Sequence, residues 1–574
     1  MLLVVFESDL LFRLQEHDLF LHTPLFFQQR MVTAGGLLTW AGSYLTQFFY
    51  YPILGAGLLC LLWVFLMWLL KQAFRIEASW MAVTLVPIAC LLLTIVDLGY
   101  WTYYLKLHGH AFTATVGCIV AVGLTWLYGR LTPRWLLSAA FILLAACVGY
   151  PLFGFYGLLA VALMGIAGRR AIDGVVAVIA IVGVPLVCYH TLYHETNIVN
   201  IYWTALPVYA MRGERYFAYN LPYIVLVTSL IAMSLARFKP VKGKWVSAVV
   251  LPVVTGCTAF GWNKDGNFHR ELAMTRNVEQ QQWEQVLQKA RGVKGEPTRA
   301  VCMMKNLALS RLGRQGDEMF SYPEGACRPD APFPIRMVQT VGKLLYLEYG
   351  VTNYCYRWCM EDGVEYGWTV EQLKLMARCS LLNGETVAAQ RFLNMLKKTD
   401  FHRKWARQYE AYLSNPKLMS QDSDLTAISA LMRKDDFLTA DMAQMERFLT
   451  EHFTTAEGTT PQLLEQTLIA AMQTKDMRLF WRRFYQYTEQ LRERRAPTHY
   501  QEAACLFGHL MNIDVSHMPF DRQVTVDYEE FAATLGRMQR EGWKLEQIGP
   551  QVKARFGNTY YYDFYFNRYD YIEN

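Results

Sequence analysis

The sequence predicts an all-α protein, a multi-pass transmembrane helical domain followed by an extracytoplasmic, tetratricopeptide-like α-helical repeat domain. Three observations predict it. The 574 residues are 53% hydrophobic and 18% charged, and the apolar runs are gathered between Pro52 and Phe260. Lys and Arg collect in alternate loops between those runs. From Asn263 onward the chain is mixed and polar, with apolar residues three and four apart, the spacing of amphipathic helices. The domain boundaries follow as 1–262 and 263–574.

MLLVVFESDL opens the chain with an apolar run too short to cross a bilayer, which takes about 20 helical residues. The expectation is a first helix that is shortened or missing, and no cleavable signal peptide. Eight apolar segments follow, near Pro52–Leu70, Trp80–Val96, Ala111–Tyr128, Trp135–Val148, Leu152–Ala167, Gly174–Tyr189, Leu221–Ala236 and Trp245–Phe260. Trp and Tyr at their ends suit interfacial anchoring. If all eight span, four loops share one side: Lys71 and Arg75; Arg130 and Arg134; Arg169 and Arg170; Arg237, Lys239, Lys242 and Lys244. Lys and Arg accumulate on the cytoplasmic side of membranes. The protein is therefore expected in the cytoplasmic (inner) membrane, its C-terminal domain periplasmic. The net charge of +6 then reflects topology. No basic stripe with interleaved aromatics appears, so the lipid bilayer is the expected partner and nucleic acid is not.

This topology puts three polar loops, 6–51, 97–110 and 190–220, on the outer face. The first begins FESDLLFRLQEHDLFLHTP. Asp9 and Glu16 lie seven residues apart, so a helix places them on one face with Arg13 between, followed by His17 and Asp18. Gly35 and Gly36 break this helix before a second amphipathic piece. In the second loop Asp97 ends a span, a depth at which an ionisable residue is a functional candidate by default, and His108 follows. The third holds His190 and His194, four apart, then Arg212 and Arg215, whose guanidinium forks suit a phosphate. Each has a plainer role too: Glu16 on a solvated face, Asp97 capping a helix, the histidines packing, the arginines pairing with Glu214 or lipid headgroups.

QEHD at Gln15–Asp18, VD at Val96–Asp97 and MRGER at Met211–Arg215 resemble, by position, features of the C-type glycosyltransferases, multi-pass enzymes that use polyprenyl-phosphate-linked sugars. The resemblance implies that Glu16 is the catalytic base, with Asp97 as second acid. Arg212, Arg215, His190 and His194 would bind the donor phosphate; Asp9, Arg13, His17, Asp18 and His108 would support the site. It allows a divalent cation (Mg or Mn) on Asp97 and Glu16, although the membrane half has no Asp-x-Asp. The acceptor would be a hydroxyl of a protein or glycan, selected by the repeat domain. The chain is also similar to a family of uncharacterised bacterial membrane proteins in which QEH, GGLL and LTQFFYYP recur early.

In the soluble half, three segments align on Gly313, Gly350 and Gly384, spaced 37 and 34 residues apart, near the tetratricopeptide period. The glycines are expected in turns between paired helices. Stacked helix pairs build concave surfaces that hold peptides or proteins. The aromatic ending FGNTYYYDFYFNRYDYIEN reads as strand or extended chain. Cys302, Cys327, Cys355, Cys359, Cys379 and Cys505 read as buried apolar residues. The alternative function is a non-catalytic membrane-anchored scaffold for envelope protein assembly, whose repeats do the binding while the spans anchor.

Overall fold

In the computed structural model the protein is built of helices, with no strand among the described residues. The structure describes the whole chain except residues 1, 132–134, 169, 209–215, 241–244, 326–336, 434–437, 439–443, 459, 492–494 and 568–574, and the side chains of 2 and 216–218. Two compact units form. One contains residues 1–265 with 362–374 and 391–408; the other contains 266–361, 375–390 and 409–574.

Helices occupy all eight apolar segments of the first unit. Five are long and apolar enough to cross a membrane: Pro52–Ala73, Ala78–Val96, His110–Leu131, Trp135–Phe153 and Ala171–Thr191. Ala171–Thr191 turns Val175, Val178, Ile179, Val182 and Val187 outward, an apolar surface that water would disfavour and a bilayer would accept. Phe155–Ala167 is only 13 residues long. It packs against His110–Leu131, Trp135–Phe153 and Ala171–Thr191. Tyr156, Leu158, Leu159, Ala160, Val161, Leu163 and Met164 along it are all buried. Protein surrounds this helix on most faces, so its apolar character comes from core packing.

Before the first of these helices, the chain folds as five short pieces: Leu2–Val5, Ser8–Glu16, Pro24–Arg30, Gly36–Thr46 and the tighter turn Gln47–Tyr50. Helix Ser8–Glu16 ends well before the expected break at Gly35 and Gly36; the glycine pair instead separates Pro24–Arg30 from Gly36–Thr46. A side chain at Gly36 would lie 2.1 Å from the Arg30 carbonyl oxygen, so the chain can turn this tightly only without one.

In the second unit, seven helices end in the same turn among the described residues. One residue adopts a left-handed conformation: Gln281, Gly313, Gly350, Gly384, Lys475, Asn512 or Gly542. The next N–H then reaches back to the carbonyl five residues earlier, as from Arg314 to Leu309 at 2.8 Å and from Val351 to Tyr346 at 2.8 Å. This closure satisfies carbonyls that the helix end would otherwise orphan. The three aligned glycines occupy this position, with φ of +66°, +78° and +76°.

The aromatic ending corrects the expectation of extended chain. Tyr560–Phe566 is a helix, capped where the Thr559 hydroxyl accepts a hydrogen bond from the Tyr562 N–H. Tyr560, Tyr561 and Tyr562 are buried, and Tyr561 lies 4.7 Å from the Phe531 ring. Tertiary packing of the rings outweighs their strand propensity. Cys302, Cys355, Cys359, Cys379 and Cys505 are buried free thiols; Cys327 lies outside the described residues.

The turn geometry ranks substitutions. At Gly350 an added Cβ meets the Leu431 carbonyl carbon and Met432 nitrogen at 2.8 Å, whereas at Gly384 it meets open space. Gly350→Ala should cost at least about 2 kcal/mol, strain plus overlap, and Gly384→Ala about 1 kcal/mol from strain alone. Thermal unfolding of the purified protein in detergent measures the order; equal losses would contradict it.

Candidate functional site

The acid-rich opening stretch is buried. Helix Ser8–Glu16 has a polar buried edge, Arg13, Gln15 and Glu16, continuing into Asp18. Glu16 is 1% exposed and Asp18 3%. A bare carboxylate at such depth is strongly disfavoured, so each acid requires a partner. The partners come from residues 362–374 and 391–408 and from the loop before His110–Leu131.

Lys374 Nζ donates to Glu16 Oε1 at 2.8 Å. Arg13 pairs with Glu371 at 2.8 Å, and His17 Nε2 lies 3.2 Å from the other Glu371 oxygen. Tyr103 flanks both, its ring 5.0 Å from that of His17 and 5.7 Å from the Arg13 guanidinium. Gln15 Nε2 donates to Gln47 Oε1 at 3.1 Å and lies 2.8 Å from His402 Nε2. His402 Nε2 is also 3.9 Å from Glu16 Oε1. Burial, and then the Lys374 charge, hold the His402 imidazolium well below the usual histidine range, so the ring is neutral and Nε2 is free to accept from Gln15. Tyr50 stacks on Phe401 at 5.2 Å and meets the His402 ring edge-on at 5.3 Å. Thus QEHD and the Gln47 and Tyr50 of LTQFFYYP line one cluster.

Asp18 forms its second half. Its Oδ1 accepts the Leu19 N–H at 2.8 Å and lies 3.2 Å from His108 Nδ1. Its Oδ2 has no hydrogen-bond partner among the described residues. Val370 N–H donates to the Asp18 main-chain carbonyl at 3.3 Å. At the rim, His22 Nε2 reaches Asp400 at 2.8 Å and Lys106 pairs with Glu365.

Of the sequence candidates, the fold brings together Arg13, Glu16, His17, Asp18 and His108. Asp9 is half-buried. Asp97 is half-buried where helix Leu85–Val96 ends, its N–H donating to the Leu93 carbonyl at 3.1 Å. His190 and His194 are exposed at and just beyond the end of Ala171–Thr191. Arg212 and Arg215 lie outside the described residues. Glu371, Lys374, His402 and Gln47 are the members that sequence reasoning missed; only Gln47, inside LTQFFYYP, carried a signal.

Among the described residues, no group of three or more His, Cys, Asp or Glu is placed to hold a metal ion. A cation on Glu16 would have to displace the Lys374 ammonium, so Glu16 as arranged does not fit that role.

With this geometry in place, one comparison decides the family. The model of a family of unknown function (DUF6057) matches residues 2–567. The chain belongs to this family. The DUF6057 match runs through both units, leaving out only residue 1 and residues 568–574. No curated protein and no solved structure matches the chain.

Two outcomes test the cluster. Glu16→Gln and Lys374→Met should couple in a double-mutant cycle by about 1–2 kcal/mol, the lower end for a buried pair because Lys374 keeps some solvent; additive losses would mean that the pair carries no net attraction. Since folding depresses the His402 pKa, the unfolded state binds the proton more readily. This group's contribution is whole above the unfolded value near 6.5 and is lost as pH falls below it. His402→Gln should therefore flatten the fall in unfolding midpoint between about pH 7 and pH 5. A fall as steep as in the wild type would place the acid sensitivity elsewhere.

Proposed function

We propose that this protein is a membrane glycosyltransferase. It moves a sugar from a polyprenyl-phosphate-type donor to a hydroxyl of a protein or glycan acceptor on the outer face of the cytoplasmic membrane. One observation carries the choice of base: Asp18 is buried and oriented by Leu19 and His108, yet keeps one oxygen without a hydrogen-bond partner among the described residues. Glu16 has its charge met by Lys374. We therefore place the base at Asp18, with Glu16 holding the cluster's charge balance.

The reaction follows. Asp18 Oδ2 takes the proton of the acceptor hydroxyl, with His108 steadying the carboxyl. The acceptor oxygen forms a bond to the anomeric carbon while the bond from that carbon to the phosphate oxygen breaks. The lipid phosphate leaves with the electron pair, and a single displacement inverts the anomeric centre. Arg212 and Arg215, with His190 and His194, are proposed to receive that phosphate, and Asp97 to position the acceptor. The loop charges support an outer-face site, because the Lys- and Arg-bearing connections alternate with those of the candidate residues. The recurring left-handed turns support a tetratricopeptide-like second unit that selects the acceptor.

The scaffold reading has its own observation. Arg13 with Glu371 and Glu16 with Lys374 tie this stretch down as purely structural pairs do.

The test compares envelope glycoproteins and glycolipids in cells carrying wild type, Asp18→Asn, Asp97→Asn or a deletion, at matched protein levels. Asn keeps an oxygen for the Leu19 N–H and the carboxyl's shape, so Asp18→Asn should fold yet lose product at least about 100-fold. Glycans unchanged on deletion, with envelope complexes lost instead, would replace the enzyme by the scaffold.

A further inference from the structure

Arg30 ends the short helix Pro24–Arg30, and no sequence pattern singled it out. The side chain is half-buried, with its guanidinium carbon 4.9 Å from the centre of the buried Phe26 ring. The Gly36 turn, closed against the Arg30 carbonyl, fixes where the helix stops. Among the described residues the guanidinium has neither an ion-pair nor a hydrogen-bond partner. The other arginine of this cluster, Arg13, has Glu371. Burial lowers the Arg30 pKa, and only the Asp18 charge acts the other way. A half-buried guanidinium without a fixed acceptor keeps N–H donors available to a ligand, and an anion would use them.

The surroundings name the kind of anion. Leu25, Phe27 and Val32, beside Arg30 in the chain, are 63%, 38% and 39% exposed. Apolar side chains held outward on the same short segment as an uncommitted guanidinium match a molecule with both a hydrocarbon tail and a phosphate. We propose that Arg30 is the phosphate-binding residue of a lipid site, with Leu25, Phe27 and Val32 seating the chain and Phe26 supporting the guanidinium from below. The site stands without the transferase reading, since either an enzyme or a scaffold would hold such a lipid.

The experiment is native mass spectrometry on the detergent-solubilised full chain, titrated with phosphatidic acid, with phosphatidylcholine, and with inorganic phosphate as competitor. Arg30→Gln should weaken phosphatidic acid binding by about tenfold or more and leave phosphatidylcholine binding unchanged. Leu25→Ser with Phe27→Ser should weaken it too, while inorganic phosphate competes poorly. Equal affinity in Arg30→Gln overturns the site. Efficient competition by inorganic phosphate, with the serine variant unaffected, overturns the lipid and leaves a free-anion site. Should Arg30→Gln fail to fold, the rise in unfolding midpoint with phosphatidic acid is compared between wild type and Arg30→Lys: a smaller rise for Lys supports the site, and equal rises overturn it. Asp18→Asn that stops glycan transfer yet still binds phosphatidic acid separates this site from the proposed catalysis.

Discussion

Burying the Glu16 carboxylate is the constraint on which the first unit depends. A charge that leaves water must take an opposite charge with it, and Lys374 at 2.8 Å is that charge. The requirement propagates. Lys374 beside His402 helps keep the imidazole neutral, and a neutral imidazole lets Gln15 donate to it. Gln15 in turn holds Gln47, and Tyr50 of the same turn packs on Phe401 and His402. Ion pair, amide relay and aromatic stack form one connected arrangement, in which each member's protonation or rotamer rests on the next.

Asp18 sits where that arrangement stops being saturated. Neighbouring groups fix its position, yet one oxygen stays uncommitted among the described residues, a short way along the chain from an arginine in the same condition. Most of the cluster resembles a structural joint, in which each charged group faces a partner. Its open edge has the composition of a site for an anion and a proton. A fold that satisfies most of a polar cluster and leaves one edge open concentrates reactivity there.

Much of the fold was legible because it rests on local rules. Hydropathy located all eight apolar helices, and the glycines at 313, 350 and 384 marked turns because few other residues enter the left-handed region readily. Gln281, Lys475 and Asn512 make the same turn without that marker, so those helix ends went unread. Periodicity gave the face of Ser8–Glu16 but not its environment. Glu16 reads as a base, or as part of a solvated face, and not as a buried ion pair, because Lys374 and His402 are too far along the chain for any local pattern to connect them. The helix at Tyr560–Phe566 was missed for the opposite reason: local propensity spoke clearly and core packing overruled it.

The length of those connections has a bearing on biogenesis. Gln15 meets His402 across 387 positions and Glu16 meets Lys374 across 358. At synthesis rates of about 5–20 residues per second, the opening stretch waits roughly 20–80 s for its partners. Through that interval its acids and histidines remain hydrated, and the helices from Pro52 to Gly261 emerge first. The stretch can be withdrawn from water only when residues 362–402 arrive, which makes closure of this cluster a late event in the folding of the first unit.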